Sequence, residues 1–85
     1  MINKVLVFSA AWCGPCQQMK PAILKLQETY DCIEYVDIDS ESERSVQYGI
    51  TSVPTIVFTK DGETVDIYRG QGTYATLKKK MEQFV

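Results

Sequence analysis

The sequence of 85 residues contains no histidine and only three cysteines. A papain-like cysteine nucleophile needs a histidine as its base, so that class of enzyme is excluded. A zinc knuckle needs four ligands, and without histidine or a second Cys-x-x-Cys pair the third cysteine cannot complete the set. The sequence therefore argues against a metal site, which leaves the chemistry of the cysteine thiols themselves.

Long apolar runs, internal repeats and stretches rich in proline, glycine or serine are also missing. No segment approaches the roughly 20 apolar residues of a membrane-spanning helix, and no glycine-rich nucleotide fingerprint is present. With 45% apolar and 24% charged residues, the composition is typical of a globular protein. We expect residues 1–85 to form a single domain that does not interact with membranes.

Acidic residues are absent from the first third of the chain. Three lysines and no carboxylate precede Glu28, whereas the remainder holds six basic and eleven acidic residues. Neither charge is dense enough to predict binding to nucleic acid. The two closely spaced cysteines lie in the basic third. The uneven distribution is either chance on a short chain or a means of keeping carboxylates away from an anion that forms there.

Hydrophobic patterning predicts alternating strands and helices. Apolar and β-branched runs predict strands over Lys4–Ser9 and Cys32–Asp39. Between them, apolar residues recur at helical spacing and predict an amphipathic helix. A strand, a helix and a strand in this order form a βαβ unit with parallel strands. The helical stripe consists of Met19, Ile23, Leu26 and Tyr30.

A second, short helix is bracketed by its end signals. Ser40 and Glu43 match a capping box that would start it. Gly49 is placed to end it, because glycine adopts the left-handed conformation that closes many helices. The sequence therefore predicts a short helix in this segment.

The last third of the chain predicts a hairpin followed by a helix. Two β-rich runs, Thr55–Thr59 and Thr64–Arg69, are joined through an Asp-Gly pair, which is a strong hairpin signal. Thr73 can cap a final helix that has one apolar face. The predicted fold is α/β, with a four-stranded mixed sheet and helices on both faces. The apolar face consists of Tyr74, Leu77, Met81 and Phe84.

Two of the three cysteines are three residues apart, flanking Gly14 and Pro15. Disulfide exchange needs a thiolate that attacks and a second thiol close enough to resolve the mixed disulfide. Side chains three apart in a regular helix lie too far apart for a bridge. We therefore expect Cys13 at the very start of the helix, where Gly14 permits the distortion and Pro15 needs no intrahelical partner.

A helix start also favours an anion on Cys13. Unpaired N–H groups and the positive end of the helix dipole lower the pKa of a thiol in that position. We predict Cys13 as the nucleophile and Cys16, which is expected to be more covered, as the resolving thiol. Cys32 is expected to be structural. An odd number of cysteines favours a reducing, cytoplasmic compartment.

The stretch from Trp12 to Cys16, with Pro21 after it, resembles the active site of the thioredoxin family. The resemblance covers nearly the whole chain, without the strand and helix with which the family usually begins. It implies a monomeric enzyme that reduces disulfides in protein substrates. It also implies electrons from a flavin-dependent thioredoxin reductase, and no cofactor beyond a redox-active Cys13–Cys16 disulfide. The later landmarks that match the family are Tyr48-Gly49-Ile50, Val53-Pro54-Thr55, Lys60-Asp61-Gly62-Glu63 and Gly70.

The same resemblance implies a substrate-binding surface around Cys13. Pro54 would follow a cis peptide bond and face the cysteines, and the backbone of Val53 would bind an extended substrate segment by strand addition. Gly70 would complete the flat surface. The residues implied in substrate binding are Trp12, Gly14, Pro15, Val53, Pro54 and Gly70.

Three residues depart from the family's usual pattern. Val7 stands where a buried aspartate is usual, and Tyr35 stands at the place of its lysine neighbour. We therefore expect the proton of Cys16 to leave through water. Arg69 replaces a commonly apolar residue beside Gly70, which favours acidic substrates.

Two alternative functions stay open at this point. The short outline is similar to that of a glutathione-coupled, glutaredoxin-like enzyme, although the Gly14-Pro15 pair is not typical of one. A thioredoxin-fold binding module, for example a processivity subunit, would use the flat surface around Trp12 without redox chemistry.

Overall fold

The computed structural model describes residues 3–84, so residues 1, 2 and 85 of the predicted domain lie outside it. Four strands form one sheet in the order β2-β1-β3-β4. Strands β1 and β2 are parallel, whereas β1 with β3 and β3 with β4 are antiparallel. This confirms the predicted mixed sheet. The elements in chain order are β1 (Lys4–Ser9), α1 (Gly14–Thr29), β2 (Ile33–Asp37), α2 (Ser42–Gln47), β3 (Thr55–Lys60), β4 (Glu63–Arg69) and α3 (Tyr74–Phe84).

Helices α1 and α3 cover one face of the sheet and form the larger core. Alternate residues of the two central strands point into it, because successive side chains of a strand face opposite sides. The predicted apolar stripes of both helices meet them there, which confirms those stripes. The buried members of this core are Val5, Val7, Met19, Ile23, Leu26, Ile33, Ile56, Phe58, Leu77 and Met81.

The opposite face is covered more thinly. None of the six described residues of α2 is buried. The layer is completed instead by half-buried side chains from the segments that flank α2. The buried residues of this face are Leu6, Phe8, Val36 and Val57, and the half-buried ones are Ile38, Tyr48, Ile50 and Val53.

Two local predictions were wrong around the end of β2. The strand ends at Asp37 rather than Asp39, because the Asp37 carboxylate accepts the Asp39 N–H at 2.8 Å and turns the chain. The capping box does not form either. The residue that precedes α2 is Glu41, without a side-chain cap, since the hydroxyl of Ser40 donates to the Asp37 carbonyl oxygen.

The other predicted turns and caps agree with the structure. Asp61 and Gly62 both have positive φ angles, 52° and 85°, as a tight two-residue hairpin requires. Gly49 follows α2 with a φ of 66°. The hydroxyl of Thr73 accepts the Thr76 N–H at 3.2 Å and caps α3.

Candidate active site

Cys13 and Cys16 lie together where β1 leads into α1. Cys13 is the residue that precedes the helix, with extended backbone, and Cys16 is buried in its first turn. Their sulfur atoms are joined in a disulfide, and their Cα atoms are 5.2 Å apart. The backbone N–H of Cys16 points at Cys13 Sγ at 3.2 Å. The expected position of Cys13 at the helix start is confirmed.

The start of α1 is built to leave its N–H groups free for a sulfur atom. Gly14 and Pro15 are its first two residues, and Pro15 has no N–H to satisfy. The first turn of the helix, all of it within the described residues, contains no acidic side chain. A negative charge on Cys13 would therefore meet the positive end of the helix dipole without a competing carboxylate.

The two sulfurs differ in their exposure to solvent. Cys16 is fully buried at 0% exposure, and Cys13 retains 6%. Both pack in a small apolar cluster with Ala10, against which Ile38 and Val53 are placed. Only Cys13 therefore presents any surface to an incoming disulfide.

The loop before β3 closes the site from the other side. The Val53–Pro54 peptide bond is cis, in agreement with the resemblance. The carbonyl oxygen of Val53 lies 3.7 Å from Cys13 Sγ. Gly70, with a φ of 92°, donates its N–H to the Pro54 carbonyl oxygen at 3.0 Å. The structure thus brings Val53, Pro54 and Gly70 to the same end of the sheet as the cysteines.

Trp12 lies beside Cys13 and is 68% exposed. Its indole Nε1–H donates to Asp39 Oδ2 at 3.0 Å. The sequence interpretation did not select Asp39. Its signal was its place just beyond β2, because the carboxyl ends of parallel strands β1 and β2 meet at one edge of the sheet.

Val7 and Tyr35 occupy neighbouring positions on β1 and β2. Val7 is fully buried in the larger core, whereas the Tyr35 hydroxyl donates to Ser9 Oγ at 3.2 Å. A cavity of about 180 Å³ opens beside Tyr35, which lines it together with Ser9, Gln17 and Lys20 among others. Because a water molecule occupies about 30 Å³, this cavity has room for several.

Cys32 lies apart from the pair, half-buried just before β2. Burial raises the pKa of the Cys32 thiol, and the charge of Asp31 raises it further. The thiol is therefore less reactive than an exposed one.

Within residues 3–84, no group of three or more histidine, cysteine, aspartate or glutamate side chains could hold a metal ion. Over the same residues, no helix has the length and apolar character needed to cross a bilayer.

A helix-capping Cys-x-x-Cys disulfide on a mixed sheet of this topology defines the class of thioredoxin-fold thiol–disulfide proteins. A profile of the family described as Thioredoxin matches residues 2–83, and the chain belongs to that family. A thioredoxin structure from Plasmodium falciparum superposes with a TM-score of 0.88 at 33% identity, covering 98% of this chain and 86% of that one.

Curated relatives give the same picture. The chain is 37% identical over 82 residues to the chloroplastic M-type thioredoxin of Pisum sativum, covering 92% of this chain and 47% of that protein. It is 35% identical over 79 residues to Thioredoxin 1 of Synechococcus elongatus, and the match covers 89% of this chain and 74% of that protein. The chain spans less than half the length of the pea relative and of an H-type thioredoxin from Populus jackii.

Proposed function

We propose that the protein reduces disulfide bonds in other proteins. The Cys13 thiolate attacks one sulfur of a substrate disulfide, and the other substrate sulfur leaves as a thiolate that takes a proton from water. Cys16 then loses its proton and attacks Cys13 Sγ. This releases the second substrate thiol and forms the Cys13–Cys16 disulfide. Two electrons have then passed from the protein to the substrate.

One observation carries the proposal: Cys13 Sγ accepts the N–H of Cys16 at 3.2 Å at the start of α1. A hydrogen bond to sulfur and the helix dipole both stabilise the thiolate over the thiol. The buried Cys16 is held within bonding reach of that sulfur, so it can resolve the mixed disulfide before the substrate diffuses away. We propose that the substrate binds the surface around Cys13. Trp12, Gly14, Pro15 and Gly70 are exposed there, whereas Val53 is half-buried and Pro54 is buried.

The proposal extends to the partners of the reaction. The oxidised pair would be reduced again by a flavin-dependent thioredoxin reductase, which takes its electrons from NADPH. The dithiol itself would need no further cofactor. A monomer in a reducing, cytoplasmic compartment fits this cycle, although the pea relative is chloroplastic by name.

Reduction of insulin disulfides tests the proposal. We expect the wild type to turn over with NADPH and thioredoxin reductase, and the Cys13→Ser variant to fall to the background rate. Cys16→Ser should stop after the first step and accumulate a mixed disulfide on Cys13. Cys32→Ser is the matched control and should retain the wild-type rate.

Two outcomes would favour the alternative functions. Turnover with glutathione and glutathione reductase, but not with thioredoxin reductase, would favour the glutaredoxin-like enzyme. A protein partner that binds the Cys13→Ser, Cys16→Ser double variant as tightly as the wild type would favour the binding module. Wild-type activity in Cys13→Ser would overturn the proposed mechanism.

A further inference from the structure

An open groove of about 660 Å³ lies between α1 and the segment that joins β4 to α3. One wall comes from the exposed side of α1, and the other comes from the residues that follow Gly70. The side chains that define the groove are Gln18, Pro21, Lys25, Gln71, Thr73 and Tyr74.

The groove is continuous with the proposed substrate surface. Gly70 is held against the Pro54 carbonyl oxygen at 3.0 Å, and Gln71 follows it directly. The Gln71 side-chain amide donates to Gln18 Oε1 at 3.1 Å, and Gln18 lies two residues after Cys16. The groove therefore begins where the surface around the cysteines ends.

The loop wall of the groove is fixed by close packing at Gly72. A Cβ atom at this position would lie 2.8 Å from the Tyr68 hydroxyl oxygen and 3.1 Å from Leu77 Cδ2. These distances leave no room for a side chain, so the loop is pressed against β4 and α3. The groove is thus part of the packed structure.

The far end of the groove holds one positively charged side chain, Lys25. Lys25 Nζ lies 4.5 Å from the centre of the Tyr74 ring, a cation–π contact that holds the ammonium group in place. None of the described residues that line the groove is acidic. Within residues 3–84, neither Lys25 nor the exposed Arg69 forms a salt bridge, so both charges are free to bind a ligand.

We propose that this groove binds an acidic segment of the substrate protein, with a substrate carboxylate at Lys25. The assignment rests on the proposed function and adds a substrate class to it. Lys25 lies twelve residues beyond Cys13, or roughly 18 Å along the helix axis. An extended chain spans this distance with roughly five residues. The substrate carboxylate is therefore about five residues from the attacked cysteine. Charge complementarity of this kind sets the choice of partner.

Two peptide disulfides of the same sequence test the groove. One carries Glu five residues from the disulfide cysteine, and the other carries Gln there. We expect kcat/KM to be about threefold to fivefold higher for the Glu peptide, as for one partly exposed charge pair. The preference should shrink in 0.5 M salt because screening weakens exposed charge pairs.

Variants of Lys25 distinguish an effect of the groove on substrate preference from an effect of the protein's overall charge. Lys25→Gln should abolish the preference for the Glu peptide, and Lys25→Glu should reverse it toward a peptide with Lys at that position. Lys79→Gln, an equal loss of charge on the exposed side of α3, should retain the wild-type preference.

The possible failures are distinguishable. Equal kcat/KM values for the Glu and Gln peptides in the wild type would overturn the groove assignment and leave the proposed function intact. A Lys25-dependent preference for a glutathione mixed disulfide over the Glu peptide would also overturn it. If the wild type fails to reduce even bis(2-hydroxyethyl) disulfide, a small neutral substrate, the proposed function itself falls and the groove assignment falls with it.

Discussion

The two faces of the sheet are packed very differently. The larger core, between the sheet and helices α1 and α3, contains ten buried residues. The core on the other face contains four buried residues, and half-buried side chains from the segments around α2 cover it. Helix α1, which begins at the cysteines, belongs to the well-packed face. The Val53–Pro54 loop belongs to the thinly packed one.

This difference assigns separate tasks to the two faces. The larger core fixes the sheet and the axis of α1, and so the position of Cys13. The thin layer supports the loop that the substrate is proposed to meet. Segments with few buried contacts open at lower free energy than core elements. The candidate site therefore joins a rigid half to a more adaptable half.

The largest expected effect comes from two phenylalanines on opposite faces. Phe58 and Phe8 are 1% and 0% exposed, and they contact Phe84 and Tyr48 respectively. Replacement of a buried Phe by Ala costs about 3–5 kcal/mol. We expect Phe58→Ala to cost an amount near the upper limit of this range and Phe8→Ala an amount near the lower limit. The thin layer around Phe8 can relax into the space that the removed ring leaves. Urea unfolding measures both.

Activity should show the reverse order. We expect folded Phe58→Ala protein to reduce insulin at nearly the wild-type rate, since its defect lies away from the site. Phe8→Ala should be slower, because its neighbours in the thin layer support Val53. If Phe58→Ala and Phe8→Ala lost the same amount of stability and the same fraction of activity, the two faces would not have separate roles.

A carboxyl group introduced into the larger core has the next largest effect. Val7→Asp should lower the free energy of unfolding by about 1–3 kcal/mol in acid, where the buried group is neutral. Burial raises its folded pKa above its unfolded value near 3.9, so further stability is lost as the pH rises past that value. Urea unfolding between pH 4 and pH 8 measures how the free energy of unfolding of Val7→Asp falls as the pH rises. Val7→Asn, which cannot ionise, is the control.

The same variant tests how Cys16 loses its proton. If water in the cavity beside Tyr35 and Ser9 accepts the proton in the wild type, a carboxylate at position 7 adds a second acceptor. The pH dependence of insulin reduction should then change in Val7→Asp. An unaltered pH–rate profile would argue against the water route.

The smallest effect is expected at the surface of the thin face. Hydrogen bonds from Arg44 and then Lys4 lower the pKa of Glu34 to about 2. The carboxylate therefore contributes its full stability above pH ~4.3, its usual pKa, and loses it as the pH falls toward 2. With 35% of the Glu34 side chain exposed, we expect less than about 1 kcal/mol.

Unfolding at pH 7 and pH 3 measures this contribution. Glu34→Gln should be less stable than the wild type at pH 7, and the difference should narrow at pH 3. Glu82→Gln, on the exposed side of α3, is the control. If the difference in the free energy of unfolding between Glu34→Gln and wild type were larger at pH 3 than at pH 7, the lowered pKa of Glu34 would be contradicted.

The sequence predicted those features that short-range chemistry determines. The buried run of β1, the apolar stripes of α1 and α3 and the Asp-Gly hairpin are each encoded within a few residues. The start of α1 at Cys13 followed from Gly14 and Pro15. The end of β2 was misplaced because the side chain of Asp37 competes for backbone N–H groups, and apolar patterning does not register such a bond.

Other parts of the site depend on contacts between distant segments. The hydrogen bond from Trp12 to Asp39 joins the loop between β1 and α1 to the segment that follows β2. The groove at Lys25 needs the loop after Gly70 to pack against α1. The cis state of the Val53–Pro54 bond came only from the resemblance, since few X-Pro bonds are cis. Local patterns carry no information on these pairings.

The position of Glu34 has a consequence for association between molecules. Strand β2 is an edge of the sheet, and an edge strand presents unpaired backbone groups to which another chain can add. Charged side chains on such a strand oppose this addition. Glu34, paired with Lys4 and Arg44, places charge at this edge, so we expect it to oppose pairing with a second chain, an effect that unfolding measurements on single molecules do not detect.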